Sequence, residues 1–161
     1  VAVLAHALGV IRRDIFHQPC DVNALATAAL YHDASEILTG DLPTPIKYHN
    51  AEIMSAYHAV EDLAVQKLLG MLPPELRETY ADVLAEDKDG DIYPLVKAAD
   101  KLSAYIKCIE ERKAGNNEFL SAEAQTRAAL EASPLPEVQY FLEHFIPAFE
   151  RDLDELGAIG Q

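Results

Sequence analysis

Apolar side chains recur every three to four residues along nearly the whole chain, and this spacing limits the fold more than any other feature of the sequence. Leu4, Leu8 and Ile11 form the first stripe, and longer stripes follow at 53–68 and 95–109. No alternating apolar and polar run of useful length points to a strand. We therefore predict an all-α fold, a compact helical bundle.

Capping residues, glycines and prolines place the expected helix boundaries. Asp21 or Asn23 can cap a second helix, which we expect to continue through Tyr31 to Ile37. The segment TGDLPTP is predicted to be a loop, because Gly40 and two prolines interrupt regular structure there. We expect further helices at 50–69, 73–84, 94–113, 121–132 and 137–156, the last of them kinked at Pro147.

Length, charge and cysteine content narrow the class of protein. The 161 residues suit one domain, which we expect to span residues 1–161. A formal net charge of −14 disfavours a nucleic acid polymer as partner, and no long apolar run predicts a membrane span. Cys20 and Cys108 fit no metal or disulfide spacing, so we expect reduced thiols and a cytoplasmic location. The chain begins at Val1 and not at Met, so we expect residues upstream of it.

The dipeptide His32–Asp33, followed by Glu36, is the first candidate site. An imidazole beside carboxylates is a donor set that suits a divalent metal, and a bound metal turns water into a nucleophile. On the expected helix, Glu36 shares one side with His32 and Asp33. Two plainer interpretations stay open: a core histidine bonded to a carbonyl, and a polar stripe on the surface.

Asp100 lies near the middle of a long amphipathic helix, among alanines and leucines. Small neighbours favour close approach to another helix, so Asp100 is a candidate metal ligand from a second element. A surface ion pair with Lys97 or Lys101 is the alternative.

Asp41 and Pro43 belong to the predicted TGDLPTP loop. Loops on a rigid scaffold often carry specificity, and the prolines would hold Asp41 in one direction, as a substrate contact requires. The alternatives are that Asp41 only forms the turn or caps a helix, and that Pro43 only shapes the turn.

Three blocks of sequence carry a family resemblance. They are YHDASEILTGDLPTPIKY, KAADKLSAYIKCIEE and AGNNEFL. His32–Asp33 with a distant Asp100 resembles the HD-domain metal-dependent phosphohydrolases, and the longer blocks resemble the bacterial 5′-deoxynucleotidases of the YfbR type. The resemblance covers nearly the whole chain.

This resemblance implies an all-α HD-domain fold that hydrolyses deoxynucleoside 5′-monophosphates to the deoxynucleoside and phosphate. It implies a divalent transition metal, cobalt or manganese, and a homodimer. By position, the metal ligands would be His32, Asp33 and Asp100, and Glu36 would lie beside the attacking water. Asp41 and Pro43 would shape the nucleotide pocket. The resemblance also implies a further histidine ligand about one helical turn before Val1.

Two other functions remain open from the sequence. One is a different reaction of the same superfamily, on a phosphodiester or a nucleoside triphosphate. The other is a non-catalytic helical module for nucleotide binding or dimerisation. Stoichiometric metal together with phosphate release would separate the enzyme from the module.

Overall fold

The computed structural model describes residues 1–42, 50–85, 90–152 and 155. Among these residues there is no strand, which agrees with the all-α prediction. In chain order the helices are α1 (Ala2–Val10), α2 (Val22–Tyr31), α3 (Glu36–Thr39), α4 (Ala51–Met71), α5 (Pro74–Leu84), α6 (Tyr93–Lys113), α7 (Leu120–Glu131), α8 (Pro136–His144) and α9 (Ile146–Glu150).

The chain forms two compact units, and the division falls within α2. The first unit contains Val1–Ala29 and Gly90–Gln161, and the second contains Leu30–Asp89. None of the described helices is both long and apolar enough to cross a membrane.

Helix α6 forms the centre of the first unit, where it packs against α1, α7 and α9. Its inward face follows the predicted stripe, since Leu95, Leu102 and Ile109 are fully buried. Helix α2 approaches α1 closely at Gly9 of α1, where an added Cβ would lie 3.0 Å from Leu25 Cδ2. A side chain at that position would therefore push the second helix away from the first.

A buried ion pair joins α8 to the π-helical segment Ile11–Ile15 that extends α1. Arg12 Nε donates to Glu137 Oε1, and Arg12 Nη1 lies 3.4 Å from the carbonyl oxygen of Asp91. Glu137 is fully buried, so loss of this partner would leave a buried carboxylate without a cation. Arg12 thus connects three segments of the first unit.

Both cysteines lie in the first unit as free thiols. Cys108 is buried on α6, and Cys20 is half-buried. Burial raises the pKa of both thiols, so they stay protonated at neutral pH.

The second unit is built on α4, which packs against α3 and α5. Asn50 caps α4, since its Oδ1 accepts a hydrogen bond of 2.8 Å from the backbone nitrogen of Ile53. The rings of Tyr31 and Tyr80 meet edge to face with centroids 6.1 Å apart. Tyr31 and Asn50 are the residues on either side of the stretch 32–49, which carries most of the predicted site residues.

Two predicted helices are interrupted in the structure. The second ends at Tyr31 and not at Ile37. The C-terminal one breaks at Phe145, and Pro147 lies in the first turn of α9, where a missing N–H costs nothing. The interruption therefore falls before the proline and not at it.

Candidate metal and nucleotide site

His32 and Asp33 lie in a turn between α2 and α3. The backbone nitrogen of Ala34 donates to the carbonyl of Tyr31 at 2.9 Å, and that of Glu36 donates to the carbonyl of Asp33 at 3.0 Å. These bonds span three residues, so the chain tightens here instead of continuing the α-helix. The prediction of a helix through Ile37 is wrong at this point, because a right-handed tight turn preserves much of the helical apolar spacing.

The side chains of His32 and Asp33 face each other within this turn. Their Nε2 and Oδ2 atoms are 2.9 Å apart, and the side chains are 7% and 53% exposed. Two ligands at right angles on one ion, each at about 2.1 Å, would be about 3.0 Å from each other. The separation and the chemistry of the two donors therefore fit shared binding of one divalent cation.

Glu36 is the first residue of α3 and is half-buried. The turn that holds His32 and Asp33 ends at its backbone nitrogen. The structure thus brings His32, Asp33 and Glu36 together in one short segment, although through a turn and not along one helix face.

Asp100 belongs to the first unit, where it is exposed on α6 directly after the fully buried Ala99. One turn earlier, the ammonium nitrogen of Lys97 lies 5.4 Å from the centroid of the Tyr93 ring. Asp100 therefore occupies the border between the apolar and polar faces of its helix.

Across the described ranges, no group of three or more His, Cys, Asp or Glu side chains is drawn together so that it could hold a metal ion. The set of His32, Asp33 and Asp100 divides between the two units, with the first two in one and Asp100 in the other. This ligand set stays a prediction.

The chain leaves α3 through Gly40 in a backbone conformation of φ 70° and ψ 165°. This region is essentially restricted to glycine. The Gly40 carbonyl oxygen accepts hydrogen bonds from Thr39 Oγ1 at 3.0 Å and from the Tyr57 hydroxyl at 3.1 Å. Asp41 follows and is exposed, whereas Pro43 lies outside the described residues.

Sequence reasoning did not single out Tyr57. It is 17 residues from Gly40 and was placed only on a helical stripe. No spacing rule connects a helical tyrosine to a loop carbonyl at that distance along the chain. The only signal was the glycine itself, which marks a special backbone position.

A cavity with a volume of about 300 Å³ lies in the first unit. Its polar lining consists of Tyr105, Arg127, Glu131 and Glu150. Arg127 pairs with Glu131 at 2.8 Å, and Glu150 pairs with Arg112 at 2.7 Å. Its charged groups are thus already paired, and none of the predicted site residues lines it.

Comparison with known proteins decides the family. The profile described as 5′-deoxynucleotidase YfbR-like matches residues 1–149. The chain belongs to this YfbR-like family. It is 50% identical over 158 residues to the 5′-deoxynucleotidase YfbR of Shigella flexneri serotype 5b, covering 98% of this chain and 79% of that protein. It is 49% identical over the same coverage to the 5′-deoxynucleotidase YfbR of Escherichia coli K12.

A solved structure supports the same relationship. The YfbR-like chain resembles an HD-domain phosphohydrolase from Listeria innocua with a TM-score of 0.79 at 25% sequence identity. The match covers 94% of this chain and 74% of the other. These findings confirm the predicted HD-domain fold, and HD-domain phosphohydrolases are metal-dependent.

Proposed function

We propose that this chain is a metal-dependent phosphomonoesterase that hydrolyses deoxynucleoside 5′-monophosphates to the deoxynucleoside and phosphate. The observation that carries the proposal is the family match over residues 1–149, together with sequence identities of 50% and 49% to proteins named 5′-deoxynucleotidase. The close pair His32–Asp33 supports it independently, because an imidazole and a carboxylate together can bind the metal that such a reaction needs.

His32, Asp33 and Asp100 would hold the metal. A mixed imidazole and carboxylate set suits a borderline divalent ion, and we propose cobalt or manganese. When bound, the ion supplies an acidified water and polarises a phosphoryl oxygen.

Glu36 would accept the proton of the attacking water or orient that water toward phosphorus. Its place at the end of the His32–Asp33 turn supports this role, since it starts the next helix beside the two ligands. General acid–base work requires a carboxylate held within hydrogen-bonding reach of the water, and a helix start fixes the backbone that carries it.

Asp41 and Pro43 would shape the nucleotide pocket. Asp41 follows Gly40, whose carbonyl oxygen accepts a hydrogen bond from the Tyr57 hydroxyl. The backbone of Asp41 therefore leaves α3 in a defined direction. Pro43 would form a stiff wall that leaves no room for a 2′-hydroxyl group, which favours deoxyribose over ribose. Lys97, or Lys47 from the stretch outside the described residues, would offset the negative charge of the phosphoryl oxygens.

We further propose a cytoplasmic homodimer. The family resemblance supports the dimer. Two free cysteines in the first unit support a reducing compartment.

The test is a phosphate-release screen on the purified protein, first treated with a chelator and then supplied with cobalt, manganese, magnesium or zinc. The substrates are the deoxy- and ribonucleoside 5′-monophosphates, a phosphodiester and a nucleoside triphosphate. We expect release from the deoxynucleoside monophosphates, with cobalt or manganese restoring it best. Release only from the diester or triphosphate would support another reaction of the superfamily, and metal binding without any release would support a binding module.

A further inference from the structure

The peptide between Gly40 and Asp41 is fixed from two sides. The Gly40 carbonyl oxygen accepts one hydrogen bond from the neighbouring Thr39 and one from Tyr57, which belongs to another helix. Because a peptide group is planar, fixing the carbonyl oxygen of Gly40 also fixes the direction of the Asp41 backbone nitrogen.

Space is not what requires glycine at position 40. A Cβ placed there would meet no atom within 4 Å. The backbone angles require it, since φ 70° with ψ 165° strains any other residue. Glycine adopts these angles without strain and could adopt others as readily, so a contact is needed to hold the chain in this one direction; the Tyr57 hydroxyl supplies such a contact from outside the local segment.

Tyr57 contributes this contact from α4, the helix that packs against α3. A neutral and partly exposed hydrogen bond adds little net stability. The hydroxyl therefore matters more for the direction of the chain beyond α3 than for the folding of the unit.

We propose that Tyr57 is a positioning residue for Asp41: its hydroxyl holds the Gly40 peptide so that Asp41 meets the bound nucleotide. This inference rests on the proposed function and on the predicted contact of Asp41 with substrate. Tyr57 acts through Asp41 and has no direct part in the hydrolysis step.

The main experiment compares Tyr57→Phe with Tyr80→Phe as a matched control. Tyr80 lies on α5 in the same unit, and its ring packs edge to face on Tyr31. With deoxy-AMP, we expect Tyr57→Phe to raise KM about fivefold, as loss of one neutral hydrogen bond implies, with little change in kcat or in metal content. Tyr80→Phe should leave both constants unchanged. A loss of kcat with unchanged KM would contradict the positioning role.

A double-mutant cycle tests whether Tyr57 works through Asp41. In an Asp41→Asn background, Tyr57→Phe should have no further effect on KM, because the group being positioned is already altered. Full additivity of the two changes would overturn the proposal. If Tyr57→Phe does not fold, Thr39→Val removes the other donor to the same carbonyl and should raise KM in the same way.

Hydrogen exchange at the backbone amides of Asp41 and Leu42 separates this inference from the proposed function. Tyr57→Phe should speed exchange there, and Tyr80→Phe should not. Unchanged exchange overturns the inference whether or not the protein releases phosphate. Faster exchange with unchanged KM in an active enzyme overturns the link to substrate. A wild-type protein that releases no phosphate from any deoxynucleotide overturns the proposed function, and the substrate role of Tyr57 with it.

Discussion

The carboxylates of Asp33 and Glu36, which lie in one short segment of the chain, have different roles in the proposed reaction. Asp33 faces His32 at 2.9 Å and would bind metal, whereas Glu36 starts the next helix and would handle the water. The difference follows from backbone position, because the turn places one group at its beginning and the other at its end.

Replacement of Glu36 tests this division at the level of one side chain. Glu36→Gln keeps the size of the group and removes its ability to accept a proton. We expect kcat to fall by about 10²–10⁴-fold while metal content stays the same. Steady-state kinetics and metal analysis provide the measurement, with the exposed Glu75→Gln on α5 as control. Loss of metal would instead make Glu36 a ligand.

Asp100 is the residue whose role the sequence and the structure leave most to experiment. Asp100→Asn should weaken metal binding at least about 100-fold, more than the loss of an outer-shell contact, and abolish phosphate release. Calorimetric titration with manganese measures the affinity. The matched control is Asp91→Asn, an exposed residue just before α6. Full activity with unchanged metal would return Asp100 to a surface role.

The residue types at the site could be read from the sequence, but their local geometry could not. His32, Asp33 and Glu36 lie in one short segment of the structure, through a turn and not along one helix face, and their roles stay a prediction. The turn was missed because its i to i+3 bonds keep nearly the spacing of a helix. Tyr57 was missed because a hydroxyl-to-carbonyl contact between distant segments leaves no trace in periodicity.

For helices, the sequence predicted positions better than ends. The long helices α4 and α6 lie within two residues of their predicted limits, since broad apolar stripes determine them. Ends depend on single capping groups and on turns with no apolar signal, which is why α2 ends early. The sequence also left open whether Asp21 or Asn23 caps α2.

The structure assigns the cap of α2 to Asp21. Its Oδ1 accepts hydrogen bonds from the backbone nitrogens of Asn23 and Ala24 at 3.1 and 2.9 Å. Asp21→Ala should therefore lower the free energy of unfolding by about 1 kcal/mol, whereas Asn23→Ala should change it much less. Urea denaturation followed by circular dichroism measures both. Equal losses would show that the cap is shared.

The Arg12–Glu137 pair tests how segments of the first unit are held together. Arg12→Met leaves a fully buried carboxylate without its cation and should cost about 3–5 kcal/mol of unfolding free energy. A double variant that also carries Glu137→Leu and is as unstable as the single one would show that packing of the arginine stem, and not charge, is what matters.

At the scale of the whole molecule, charge should govern how the enzyme meets its substrate. A chain of net charge −14 repels a nucleotide dianion over long range. Raising ionic strength from about 10 mM to about 150 mM shortens the screening length from about 30 Å to about 8 Å, so kcat/KM should rise about two- to fivefold. Kinetics in potassium chloride at fixed metal concentration measure it, and kcat should stay constant. A fall in kcat/KM would show that local cations dominate.

The two native thiols should react only slowly with thiol-specific labels, so background labelling of this protein should be low. Cys20 and Cys108 stay protonated at neutral pH because burial raises their pKa, and only a thiolate reacts readily with an alkylating dye. A cysteine introduced at an exposed position in each unit would therefore take up most of the dye. Energy transfer between two such labels would then measure the distance between the unit that carries His32 and the unit that carries Asp100, with and without metal.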